Sequence, residues 1–258
     1  MENKYVTKEM ISELCGAMAG DGWIQSNESG LFLTGDPIND KDYYDGHICI
    51  LVSKILSPVK PRYFHYWGVY GIALYKKKDI LKLLEFGVPK GKKVSTVEIP
   101  KWVLDSKDKI IGSFIRGLFD TDGGVCLSKD YTKYASNFRR NHHIKLRLRF
   151  TSVSSKLIEQ TFNCMQKLGF RCLLIYKQSS TKNVNTKDVY MIEINELRSI
   201  HKFFNDIKPS NPKHTTKYKI WLKYGFCPTH TTLNQRLQIL NNNLDPKSIY
   251  ERIGGEDS

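Results

Sequence analysis

The sequence predicts an α+β fold made of two like halves, on three observations. A small-residue helical stretch that stops at Asp-Gly occurs twice, each copy is followed by strands and helices in similar order, and the 258 residues are 40% hydrophobic. A chain of that size and content can bury one large core or two modest ones.

The repeat emerges when "ISELCGAMAGDGWI" (11–24) is set beneath "GSFIRGLFDTDGGV" (112–125). Ser12 then matches Ser113, Leu14 matches Ile115, Gly16 matches Gly117, Met18 matches Phe119, and Asp21-Gly22 matches Asp122-Gly123. After the second copy, "HIKLRLRF" alternates basic and apolar residues as a half-buried strand does, and "SSKLIEQTFNCMQKLGF" has helical spacing with a Gly stop. "RCLLIYKQ" and "DVYMIEIN" are expected strands, and "ELRSIHKFFNDI" an expected helix. The first-half counterparts are "GHICILVS" as a strand, strands within "PRYFHYWGVYGIALYKK", and "KDILKLLEFG" as a helix. The expected units are residues 1–100 and 101–228, joined near "GVPKGKKVSTVEIPKWVLDSKD", with an extension over 229–258 that carries one helical run, "LNQRLQIL", and a frayed end.

Charge narrows the partner. Forty Lys and Arg against 26 Asp and Glu leave +14, an excess suited to a polyanion, with nucleic acid foremost. The six cysteines occur singly, without a CxxC pair, which fits reduced thiols and offers no zinc site. No window approaches a membrane span and no signal segment precedes the first helix, so a soluble intracellular protein is expected, in the cytoplasm or nucleoid of a prokaryote or inside an organelle.

Residues four apart on a helix share a face, so Ser12, Gly16 and Gly20 form a narrow stripe matched by Ser113, Gly117 and Thr121. Each glycine lowers helicity by roughly 1 kcal/mol relative to Ala, and close helix packing is the simplest compensating gain. Such packing would set Asp21 beside Asp122. Two adjacent carboxylates repel unless a cation sits between them, and oxygen ligands of this kind, with the unpaired carbonyls of a helix end, select Mg²⁺ or Mn²⁺. A single Asp-Gly after a helix is usually a turn; two in matched register behind small-residue faces point to a site.

"LCGAMAGDG" and "IRGLFDTDG" resemble the two motif copies of the LAGLIDADG homing endonucleases, the second more closely, with the order of elements alike over roughly residues 5–225. That resemblance implies two pseudo-symmetric αββαββα halves packed on their motif helices, with antiparallel sheets forming a DNA-binding saddle. It makes Asp21 and Asp122 catalytic, metal-binding carboxylates and lets Gly20 and Thr121 offer backbone carbonyls. It implies Mg²⁺-dependent cleavage of both strands of a long asymmetric duplex site across the minor groove, leaving short 3′ overhangs. With both motifs on one chain, a monomer without an obligate protein partner is expected. The sixth motif position is Asp120 in the second copy and Ala19 in the first. Family members also place a basic or polar residue on a strand near the catalytic water, for which Lys54 is the first-half candidate; Ser152 and Val153 stand at the matching place in the second half.

In "KLRLRF" the side chains of Lys145, Arg147 and Arg149 share one strand face, free for DNA, with Arg139 and Arg140 flanking. Arg62, Lys76 and Lys77 are the first-half candidates, part of the aromatic stretch being core and part lining the groove. An aromatic run can also be a stacking platform for single strands. The basic loop "PKGKK" (89–93) can equally contact backbone or solvent, and His142 and His143 are expected on a loop near phosphate rather than in an HNH site. An intron or free-standing frame is expected over an intein, because the chain starts with Met and shows neither a splicing Cys nor a terminal His-Asn. The alternatives are an RNA-binding maturase, a non-catalytic DNA-binding regulator on the same scaffold, or an unrelated basic nucleic-acid module.

Overall fold

The computed structural model describes residues 5–91, 96–177 and 188–254, with side chains described as far as residue 251. Helix α1 (Lys8–Gly20) starts where the Thr7 hydroxyl accepts the Met10 N–H and ends at Asp21, whose N–H returns to the Ala17 carbonyl. It is followed by strands β1 (Gly22–Ile24) and β2 (Leu31–Gly35). Then come a short helix α2 (Lys41–Tyr43), a π-helical turn (Tyr44–Ile48) and helix α3 (Cys49–Ile55), which run on without a break. Strands β3 (Arg62–Phe64) and β4 (Val69–Leu74) and helix α4 (Lys77–Glu85) complete this set.

After the short helix α5 (Lys101–Leu104), the order repeats. Helix α6 (Asp108–Asp122) leads into β5 (Gly123–Ser128), a small helix α7 (Asn137–Asn141), β6 (Lys145–Ser152), α8 (Ser155–Lys167), β7 (Leu173–Lys177), β8 (Val189–Ile194) and α9 (Leu197–Asp206). Three further helices follow, α10 (Pro212–Tyr224), α11 (Leu233–Leu240) and α12 (Ser248–Gly254).

The two sheets have the same topology. Strand order is β1-β2-β4-β3 in one and β5-β6-β8-β7 in the other, antiparallel throughout. Strand alternation sends Ile24, Leu31, Leu33, Ile72 and Leu74 of the first sheet inward, and Val125, Leu146, Leu148, Phe150, Ile192 and Ile194 of the second. These inner faces and the two motif helices share one core. Helices α10 to α12 build a small satellite core around Ile220, Cys227, Ile239 and Ile249.

One first-half element is corrected. "GHICILVS" is helical, not a strand, and the strand that pairs in the sheet is "LFLTG" (β2). Tyr44, Ile48, Leu51, Val52 and Ile55 are the buried positions, a spacing of four, three, one and three that follows one helical face. The continuous apolar run over 48–52 conceals that longer period. The extension over 229–258 holds two helices, α11 and α12, rather than the one expected; its last four residues fall outside the described ones.

Candidate active site

The small residues of the motif helices are where the halves interlock. A Cβ on Gly16 would overlap the Phe114 carbonyl oxygen, and a Cβ on Gly117 would overlap the Glu13 carbonyl oxygen. Those two contacts are the same contact under the sequence repeat, so α1 and α6 cross about a pseudo-two-fold axis at the glycines. The missing side chains let backbone meet backbone, which offsets the helical cost of glycine. The Ser12 hydroxyl crosses to donate to the Ile110 carbonyl at 2.7 Å, whereas Ser113 turns back to Lys109 of its own helix at 2.9 Å.

Further along the same faces, the ends of the two helices meet. A Cβ on Gly20 would run into the Thr121 hydroxyl and lie 3.3 Å from the Asp122 carboxyl carbon. Asp21, the very next residue, caps α1, and Asp122 ends α6. Asp21 is half-buried and Asp122 exposed, so both ends open to solvent. Tyr44, from the π-helical turn, is fully buried beside this place. Burial, then the Asp21, Asp40 and Asp122 carboxylates, hold its hydroxyl well above the ordinary phenol range. A single side chain thus senses both motif carboxylates, in a protein whose net charge is +14.

The partner residues of this centre come from segments distant in sequence. Asn211 is fully buried and its amide donates both to Asp40 Oδ1 (2.7 Å) and to the Asp120 carbonyl (2.8 Å), tying the first half to the second motif helix. The Asp120 carboxylate accepts the N–H groups of Ser210 (2.8 Å) and Asn211 (3.1 Å). Burial nonetheless pushes Asp120 up to about 7, against those two hydrogen bonds. Lys213 bridges Asp40 Oδ1 (2.9 Å) and the carbonyl oxygen of Thr121 (3.3 Å). Sequence reading missed Tyr44, Asp40, Asn211 and Lys213. "SNPK" does mark a helix start, since the Asn211 side chain caps Lys213 N–H and Pro212 takes the first turn. What that start touches is decided across 90 residues or more.

Behind the carboxylates, Glu13 is buried between the halves. It pairs with Arg116 of α6 and with His47 Nε2 at 2.6 Å. Burial alone would raise its pKa, but the His47 and Arg116 hydrogen bonds outweigh it and hold Glu13 below its ordinary value.

Among the described residues no group of three or more His, Cys, Asp or Glu could hold a metal ion. The oxygen donors at the helix ends are Asp21, Asp122 and main-chain carbonyls, Gly20 and Thr121 included, and they lie at the negative ends of two helix dipoles. This donor set is hard and anionic and fits Mg²⁺ or Mn²⁺ provided that water or phosphate oxygens complete the shell.

Lys54 does not sit where the strand expectation put it. It is the penultimate residue of α3 and exposed, while Leu51, Val52 and Ile55 of that helix are buried. No strand of the sheet carries it toward the carboxylates, because the segment it was read from is a helix.

Of the expected basic residues Arg62, Lys145, Arg147 and Arg149 lie on strands, whereas Lys76 and Lys77 start α4 and Arg139 and Arg140 lie on α7, and few stand alone. On β6, Lys145 pairs with Asp130 (2.9 Å), Arg149 with Glu193 (2.7 Å), and Arg147 lies 3.9 Å from Glu193 and donates to Ser128 Oγ at 2.9 Å. Glu193 stands opposite Arg149 in the register of β8, which explains the pairing. Arg139 lies 3.6 Å from Asp130, and Arg140 on α7 is exposed. In the first half, Arg62 donates to the Tyr75 hydroxyl (2.9 Å) over the Phe64 ring, Lys77 pairs with Glu28, and Lys76 is exposed. The loop "PKGKK" pairs Lys90 with Glu28, and residues 92–95 lie outside the described ones. His142 and His143 lie on the loop between α7 and β6, where His142 stacks on Phe138 at 4.3 Å, and His143 stacks on Tyr250 and meets its hydroxyl at 3.1 Å. Burial holds His143 below the ordinary imidazole value.

The six cysteines are free, and no helix among the described residues is long and apolar enough to cross a membrane.

Residues 109–208 match the family of the LAGLIDADG-like domain. No curated protein matches the chain. Among solved structures, mesophilic variants of the homing endonuclease I-DmoI are similar at a TM-score of 0.50 and 17% identity, over 78% of this chain and 95% of that one. A variant of I-DmoI with its target DNA and Mn is similar at a TM-score of 0.50 and 16% identity, over 79% of this chain and 96% of that one. Another, with its target DNA and Mg, is similar at 0.50 and 16%, over 79% and 97%. At this identity the likeness establishes the fold.

Proposed function

From a chain whose residues 109–208 form a LAGLIDADG-like domain and which has the fold of the LAGLIDADG homing endonucleases, we propose a site-specific double-strand DNA endonuclease. The observation that carries this reading is the glycine interlock, which sets the Asp122 carboxyl beside the Gly20-Asp21 end of the other motif helix. Two carboxylates related by a pseudo-two-fold axis match a duplex, whose two scissile phosphates are themselves related by a two-fold. In this proposal Asp21, Asp122 and the Gly20 and Thr121 carbonyls hold a divalent cation, Mg²⁺ or Mn²⁺. The ion supplies Lewis acidity at the scissile phosphodiester.

The chain's own residues do the rest. Asn211 and Asp40 hold the second motif helix against the first half, and Lys213 keeps a positive charge beside Thr121, where the anionic backbone would lie. The outward faces of both sheets, with Arg62, Lys145, Arg147 and Arg149, and the flanking Lys76, Lys77, Arg139 and Arg140 meet the duplex on either side of the cut. Since the chain carries both motifs and its two outward faces differ, it acts as a monomer on an asymmetric site. Intron or free-standing reading-frame origin and a short 3′ overhang belong to the same proposal.

The test is cleavage of a randomised duplex library in Mg²⁺. Defined double-strand breaks are expected, and Asp122→Asn should bind the selected site while cutting about 10²–10³-fold more slowly. Tight binding by the wild type without cutting in Mg²⁺ or Mn²⁺ overturns the nuclease reading in favour of a binding protein. Equal cutting by Asp122→Asn overturns the role given to that carboxylate.

A further inference from the structure

Adjoining the centre around the motif carboxylates, Lys217 of α10 and Arg236 of α11 line a cavity of about 450 Å³ that opens to solvent. Its other walls include Asp36 and Asp40 of the first half, Lys213 of α10 and the Pro228–Thr231 turn. Arg236 is 2% exposed, and Lys217 is half-buried. Buried cations ordinarily find a carboxylate or an anionic ligand, because an uncompensated charge out of water is costly. Here they find no carboxylate among the described residues. The Lys217 ammonium reaches only the Val125 carbonyl, at 3.5 Å. Arg236 donates Nε to Thr216 Oγ1 (2.9 Å) and Nη1 to the Thr231 carbonyl, and Nη2 has no acceptor among the described residues.

Neither acidic wall forms an ion pair with Lys217 or Arg236. Asp40 is already taken by Lys213, Asn211 and the Asp36 N–H. Asp36 Oδ1 accepts the N–H groups of Ile38 (3.0 Å) and Asn39 (2.7 Å) and the Asn39 amide. Burial and the neighbouring Arg236 push the Lys217 pKa down, so the two cations crowd each other. What the cavity lacks is a compact oxyanion able to accept from an ammonium and a guanidinium together.

We propose that this cavity binds a phosphate group, from a nucleic-acid backbone or from free phosphate. The proposal does not depend on cleavage. Thermal melts of the full chain in orthophosphate and in chloride of equal ionic strength test it. Saturating phosphate should raise the wild-type Tm by about 2–4 °C. Lys217→Met should melt in chloride no lower than wild type, because a partly desolvated cation has been removed, and should lose the phosphate response. Lys217→Gln repeats the test should the Met variant fold poorly. Equal wild-type Tm in the two anions, or an undiminished response in the folded Lys217 variant, overturns the proposal. Asp122→Asn should respond to phosphate as wild type does, so failure of the nuclease reading and failure of this one are separable.

The source of the phosphate is read from duplex binding against salt. A slope of log K on log salt shallower by about 0.9 in Lys217→Met assigns a DNA phosphate, and an unchanged slope together with the lost thermal response assigns free phosphate.

Discussion

The two sheets share strand order and antiparallel pairing but present opposite chemistry outward. On the first, Trp23 stacks on Phe32 at 5.5 Å, and Phe32 meets Trp67, Tyr75 and Phe64 edge-on at 5.3, 5.9 and 6.2 Å. On the second, the corresponding outward face of β6 carries Lys145, Arg147 and Arg149, balanced by Asp130 and Glu193. Inner faces must meet a shared core and stay alike, whereas outer faces are free to diverge. An aromatic face offers apolar contact, such as with thymine methyl groups, and a basic face offers phosphate and guanine contacts. The contrast therefore belongs to recognition and the likeness to folding.

Substitutions can separate those two levels. The largest effect is expected at the shared seam. Gly117→Val drives a branched side chain into the Glu13 carbonyl and should cost about 4 kcal/mol or more, read by denaturant melting. A nearly unchanged midpoint would mean that the helices can slide apart without loss.

Next comes Glu13, whose counterpart in the repeat is Phe114, so the ion cluster breaks the pseudo-symmetry. Glu13→Gln leaves Arg116 without a buried counter-charge, and a loss of about 3 kcal/mol at neutral pH is expected. The folded pKa of Glu13 lies below its ordinary value of 4.5. Its contribution is present above that value and is lost as pH falls through the folded pKa. The variant should accordingly show a flatter acid limb in a stability profile below about pH 4.5.

Smaller effects distinguish the outer faces. Phe32→Ala removes the centre of the aromatic cluster and should cost about 2 kcal/mol of stability, with the salt slope of DNA binding unchanged. Arg140→Gln should do the reverse, altering stability by less than about 0.5 kcal/mol while the slope falls by about 0.9. Interchanged outcomes would erase the distinction between an apolar and an electrostatic face.

Much of the second half was legible because its elements carry clean local periods. "KLRLRF" alternates at two and became β6, and "SSKLIEQTFNCMQKLGF" became α8, capped by the Ser154 hydroxyl. The first half was harder to read. The continuous apolar run over 48–52 reads as a strand, and only the wider spacing from Tyr44 to Ile55 exposes the helix. That misreading carried Lys54 with it.

The paired motif and its glycines were written in the linear chain, because close helix packing requires small residues at a fixed period of four, and such a pattern survives without knowledge of any partner. The ring of groups around the carboxylates was not. Asn211 reaches Asp40 across 171 residues and Asp120 across 91, and Lys213 reaches Thr121 across 92. Periodicity reports which face of an element is buried; it carries no information about which distant segment covers it, so those contacts were decided by the packing of α10 against both halves.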